Sequence, residues 1–193
     1  MTDRRPARLL IRCAATLAAL LLAVSAQAAG ITVSAAASLT NALREIGLLF
    51  EQAHPGHKVL FNFGASGALL QQIARGAPVD VFVSADPQRM DEAQRQNLIV
   101  PALRRDFASN RLVLIVPATA GEAPAALADL ARPAYARIAI GLPASVPVGS
   151  YTQGVLVAAG LWHAIEPKMI GAHNVRQALD YVARGEVDAG FVY

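Results

Sequence analysis

The sequence predicts an α/β fold built mainly on parallel sheets. Three observations lead there. Strand-like and helix-like segments alternate from residue 30 to the end of the chain, Gly or Pro marks most of the exits from the helical segments, and no repeat, low-complexity run or long linker interrupts the order. Strands that return to one sheet through a helix run parallel.

Taken in order, Ile31–Val33 is β-branched and apolar, and reads as the first strand. From Leu39 to about Ala53, apolar residues at Leu39, Ala42, Leu43, Ile46, Leu49 and Phe50 recur at helical spacing, and His54-Pro55-Gly56 ends the helix. Lys58–Phe63 alternates as a strand. Ala68–Arg75 is a short helix stopped by Gly76, and Val79–Ser84 reads as a buried strand. Helix Pro87–Gln96, strand Arg111–Val116, short helix Leu127–Ala131 and strand Arg137–Gly141 follow. Helix Tyr151–Ala159 stops at Gly160, helix Val175–Arg184 stops at Gly185, and Ala189–Tyr193 is the last strand. Leu103–Val116 reads as a crossover between two lobes, residues 29–107 and 108–193.

The first 28 residues are not part of this pattern. Arg4, Arg5, Arg8 and Arg12 precede an apolar run from Ala14 to Val24, which closes on Ala26-Gln27-Ala28. That is the pattern of a cleaved secretory signal, too short in its apolar part to span a membrane, with cleavage expected after Ala28 and the periplasm as destination. Removing it takes away four of the 17 basic residues and one of the 14 acidic ones, so the remainder is formally neutral. The basic isoelectric point therefore belongs largely to the signal and supports neither nucleic-acid nor membrane-surface binding. The only cysteine, Cys13, leaves as well, and with it thiolate chemistry, disulfides and thiolate zinc sites. A chain of the remaining length buries roughly 70% of its unfolded surface, enough for one domain or two small lobes.

The informative stretches are those where helices begin. ITVSAAASLT runs from a strand through three alanines to Ser38; FNFGASGA brings Ser66 to a helix start; GLPASVPVGS leads into a helix near Ser150; and AHNV starts a helix at Val175. These starts carry small or capping residues and no bulky charge except Arg176. Open α/β sheets bind ligands beyond the carboxyl ends of their strands. A helix N-terminus offers unpaired N–H groups and about half a positive charge, so four converging ends suit a dianion without any lysine or arginine. Ser38 and Ser66 can add hydroxyl donors. The plain alternative is that these serines are N-caps. GASGA at 64–68 also approaches a nucleophile elbow, with Ala68 in the last glycine position and His163 or His173 as downstream bases for a secreted Ser hydrolase. His54, His57, His163 and His173 lack metal-ligand spacing. Asp80 reads as a residue preceding a strand and Asp86 as a helix cap.

ITVSAAASLTNAL, FGASGALLQQIARGAPVDVFVSAD, VPVGSY, NVRQAL and GFVY together resemble the periplasmic molybdate-binding proteins of ABC transporters, in the family's order and spacing from about residue 30 onward. The resemblance implies the type II periplasmic binding protein fold, two α/β lobes around a cleft, and a monomer that carries molybdate, and usually tungstate, to a membrane permease. It implies no catalysis, no cofactor and no free metal cation. Carried over one at a time, the family's ligands fall on the Ser38 and Ser66 hydroxyls, the Val148 and Val175 backbone N–H groups and the Tyr193 phenol. Sulfate is the alternative oxyanion. The family runs on for several dozen residues past this tyrosine, which implies that the second lobe and the return to the first are incomplete here. A carboxylate ending the chain at Tyr193 would repel the anion by roughly 4 kcal/mol at ~4 Å, which predicts a destabilised, weaker binder.

Overall fold

The computed structural model describes residues 29–193; the signal segment read at residues 1–28 lies outside the described residues. Two sheets organise the chain. The first has the order β2-β1-β3, with β1 at Ala29–Ala36, β2 at His57–Gly64 and β3 at Val81–Val83, all parallel. The second has the order β4-β7-β5-β6, with β4 at Val113–Ile115, β5 at Ile138–Gly141, β6 at Met169–Ala172 and β7 at Ala189–Val192. There β5 runs parallel to both β6 and β7, and only β4 is antiparallel, paired with β7.

Six helices connect these strands: α1 (Thr40–Ala53), α2 (Ser66–Ala74), α3 (Pro87–Arg95), α4 (Pro147–Ala158), α5 (Trp162–Ile165) and α6 (Val175–Ala183). None of the helices in the described residues is long and apolar enough to cross a membrane.

The second sheet holds most of the core. β5 and β7 are buried along their whole length, as parallel strands covered on both faces must be. On one face Ile138, Ile140 and Phe191 pack with Leu130, Leu156 and Ile165. On the other, Ala139 and Val192 pack with Ala178 and Val182 of α6. The first sheet is thinner: Val33, Ala35 and Ala36 of β1 are buried, with Leu69, Leu70 and Ala93 among the apolar residues packed beside them.

Several expectations need correction. β3 is an edge strand rather than a buried one, because only β1 pairs with it, and Val81 is 43% exposed. The apolar stripe of α1 is not buried either. Gly47 lies against Phe61, while Ile46, Leu48 and Leu49 stand more than half exposed. α4 begins at Pro147, four residues before the expected start, since a proline lacking an N–H suits the first helical position. The segment Leu127–Ala131 is a 3₁₀ turn. β6 (Met169–Ala172) and α5 (Trp162–Ile165) are not among the elements expected from the sequence.

Candidate functional site

The site forms where the strands end. Ala36 closes β1 opposite Gly64 at the end of β2, and Gly141 closes β5 opposite Ala172 at the end of β6. From these ends the chain turns into helices α1, α2, α4 and α6. Residues from both sheets meet there: Ala65, Val146 and Val148 form a buried cluster with Leu142, Val175 and Tyr193 packed against it. All five residues singled out in the sequence, Ser38, Ser66, Val148, Val175 and Tyr193, line one small cavity of about 10 Å³ at this junction. The rest of the lining is Ala, Gly, Pro and Val, with no charged side chain and no histidine. His163 and His173, the bases a hydrolase built on Ser66 would need, are thus absent from the lining. A larger cavity of about 550 Å³ lies at the β3 edge, lined by Ile73, Leu98 and Leu103 among others, away from every helix start that meets here.

The serines are not caps. Residues 37–39 form a 3₁₀ turn, and α1 begins after it without a side-chain cap. Ser38 therefore sits in the turn, and its side chain makes no hydrogen bond among the described residues. Ser66 is the first residue of α2, whose preceding Ala65 has no side chain to cap with. Its buried Oγ instead accepts the N–H of Ala85 at 3.0 Å. A hydroxyl that already accepts keeps its own proton free to donate. Asp86 does cap, as expected, accepting the Arg89 N–H at 3.1 Å, and Asp80 Oδ2 accepts the Thr32 N–H at 2.8 Å.

The backbone donors arise from the same logic. α4 also starts without a side-chain cap, on Val146-Pro147, so Val148 presents an N–H in the first turn, where a helix supplies no acceptor. In α6, Asn174 Oδ1 caps through the N–H of Gln177 at 3.0 Å, and Gln177 Oε1 reaches back to the N–H of His173 at 2.7 Å. That exchange leaves the N–H of Val175, at the very start of the helix, outside the capping arrangement.

Tyr193 follows β7. Its hydroxyl is buried and has no hydrogen-bond partner among the described residues. Burial drives its pKa well above the ordinary tyrosine value, and the neighbouring Tyr151 and the Asp86 carboxylate add to the rise. It is thus a neutral donor over the whole physiological range. Tyr151 packs edge-on against it, ring centroids 6.5 Å apart, and is itself shifted upward by burial and then by Asp86. Among the described residues no cluster of three His, Cys, Asp or Glu side chains could hold a metal cation.

The two sheets also touch directly around the cavity. The N–H of Gly67 donates to the Ser145 carbonyl at 3.2 Å, Arg89 Nη2 donates to the Ala144 carbonyl at 3.0 Å, and Arg176 Nη2 donates to Asn41 Oδ1 at 3.1 Å. Sequence reasoning found none of these, because each joins residues far apart in the chain.

Among known proteins, residues 31–193 match the family described as bacterial extracellular solute-binding protein. The molybdate-binding protein ModA of Escherichia coli (strain K12) is 37% identical over 167 residues, covering 84% of this chain and 65% of the relative. The molybdate-binding protein ModA of Rhodobacter capsulatus is 35% identical over 187 residues, covering 94% and 72%. The solved periplasmic molybdate-binding protein of Azotobacter vinelandii superimposes with a TM-score of 0.76 at 31% identity, covering 84% of this chain and 70% of that one. The chain spans 62–65% of the length of the first two curated relatives it matches. With this family match across nearly all the described residues, and the type II periplasmic binding protein architecture it shares, the chain belongs to the bacterial extracellular solute-binding proteins.

Proposed function

We propose that this protein captures molybdate, and by the same chemistry tungstate, and delivers it to the membrane permease of an ABC-type importer. One observation carries the reading: Ser38, Ser66, Val148, Val175 and Tyr193, each able to supply a hydrogen-bond donor, line one cavity with no charged side chain and no histidine. Neutral donors and helix N-termini stabilise a dehydrated dianion without a counter-charge. With its three hydroxyls turned to donate, such a site offers no acceptor for a ligand proton. Phosphate retains a proton near neutral pH and would leave its O–H facing a donor, at a cost of ~1–3 kcal/mol. Molybdate and tungstate are fully ionised; sulfate is too, but is smaller and spans the donors less well. The similarity to relatives named as molybdate-binding supports the same choice.

The mechanism is capture rather than turnover, with no cofactor. A cavity of this size holds about one water, so a tetrahedral oxyanion enters only if the two sheets part and close again. We assign residues 29–107 and 108–193 to two lobes, with Ser38 and Ser66 on the first and Val148, Val175 and Tyr193 on the second. Contact with both lobes is what lets a ligand shift the population toward the closed form. Export by the segment before Ala29 to the periplasm, and a monomeric carrier there, complete the reading.

Thermal unfolding at matched ionic strength tests it. A ligand at 100 times its Kd adds ~2.7 kcal/mol. Molybdate and tungstate are expected to raise the Tm and phosphate to leave it unchanged; a rise with phosphate and none with molybdate would refute the assignment.

A further inference from the structure

The cavity lining is neutral, yet the residue that follows Val175 in the chain is a cation. Arg176 follows Val175 in the first turn of α6, and Asn41 lies three residues beyond Ser38 in the first turn of α1. Their hydrogen bond, Arg176 Nη2 to Asn41 Oδ1 at 3.1 Å, joins the two sheets beside two of the cavity-lining residues. The partner is an amide, not a carboxylate, and Arg176 forms no ion pair among the described residues. The other arginine that crosses between the sheets, Arg89, is paired with Glu92 at 3.4 Å. Arg184, at the opposite end of α6, lies 3.8 Å from Glu186. The positive charge of Arg176 is therefore held in place without being neutralised.

We propose that Arg176 is a positioning and electrostatic residue of the anion site, tied by Asn41 so that it fastens the start of α6 to the start of α1 while its uncompensated charge attracts the incoming oxyanion. This rests on the oxyanion reading above. The tie fixes where the Val175 N–H stands relative to Ser38. The charge acts from the rim, so the bound anion still meets only neutral donors and the fully ionised ligand remains favoured. Fixed charge near an entrance raises local anion concentration in a way that salt screens.

Calorimetric titration of molybdate into the purified protein at ~20 mM and ~500 mM NaCl tests this with three variants. Arg176→Gln is expected to bind roughly 5- to 10-fold more weakly at low salt and to lose most of the salt dependence seen in the parent. Asn41→Ala, which frees the arginine but keeps its charge, is expected to weaken binding about 3-fold at both salt concentrations with the salt dependence retained. Arg184→Gln makes the same change in net charge far from the rim and is expected to match the parent. The proposal is overturned if the parent binds molybdate and Arg176→Gln keeps both its affinity and its salt dependence, or if Arg184→Gln loses as much. A parent that does not bind molybdate at either salt concentration would instead contradict the proposed function, and the two results are read from the same titrations.

Discussion

The N–H of Gly67 donates to the carbonyl of Ser145 across the junction of the two sheets, and a β-carbon built on Gly67 would stand 2.5 Å from that oxygen. The approach is between backbones, so neither side can rotate away. Glycine is required here by the closeness of the other sheet and not by a turn. If the sheets close around a ligand, this contact sets how far they close.

Gly67→Ala is therefore expected to weaken molybdate binding by about 10-fold or more, since forcing an extra methyl into a packed contact costs ~1–3 kcal/mol. The Tm of the ligand-free protein should move far less, because the clash is with the other sheet and opening relieves it. Calorimetry alongside thermal unfolding separates the two. An unchanged affinity would show that the closed contact is not needed for binding.

The two serines should behave differently. Ser66 Oγ accepts the Ala85 N–H, so Ser66→Ala removes a proposed ligand donor and also orphans a part-buried N–H. It should lower affinity and reduce stability by ~1–3 kcal/mol. Ser38→Ala should lower affinity with little effect on the Tm, because the Ser38 hydroxyl holds nothing else together. Equal losses of stability in both variants would contradict this division.

Tyr193→Phe removes a buried hydroxyl that has no partner in the ligand-free protein. The Tm without ligand should stay level or rise, while molybdate affinity falls by about 10- to 100-fold, the worth of a hydrogen bond to a charged group, ~1.5–3 kcal/mol. A drop in the ligand-free Tm would place the hydroxyl in an internal hydrogen bond instead.

The pH dependence follows from the same residue. Burial raises the folded pKa of Tyr193 above its unfolded value near 10. Below the unfolded value both states keep the proton and the group contributes no slope. Above it the unfolded chain ionises first, so stability falls as pH rises through the window between the two values. With no histidine in the lining and the folded Tyr193 phenol holding its proton well past the ordinary tyrosine value, molybdate affinity should stay flat from about pH 6.5 to about 10 as long as the chain stays folded. A step near pH 6.5 would point to a histidine that the cavity does not contain.

How much of this was legible in the sequence varies with the kind of signal. The alternation of strand and helix read correctly because β5 and β7 are continuous apolar runs and Gly160 and Gly185 end their helices in the left-handed region. The five lining residues were reached through the resemblance and the helix-start pattern together; periodicity alone would not have separated Ser38 from an ordinary cap. What the residues could not show is what depends on the partner across the gap. The exposure of Ile46 and Leu49 contradicts a stripe whose spacing suits burial. The acceptor role of Ser66, the closeness of Gly67 to Ser145 and the Arg176–Asn41 tie join positions 19, 78 and 135 residues apart, and no local pattern encodes them.

The most direct test of the account is competition calorimetry: molybdate titrated into the protein at one ionic strength in the presence of excess sulfate, and separately of excess phosphate. The proposed arrangement, in which every hydroxyl and N–H of the cavity donates to the ligand, predicts that phosphate leaves the molybdate isotherm unchanged and that sulfate displaces it weakly at most. Displacement by phosphate as effective as by unlabelled molybdate would mean that the cavity accepts a ligand proton, and the donor-only account would be wrong.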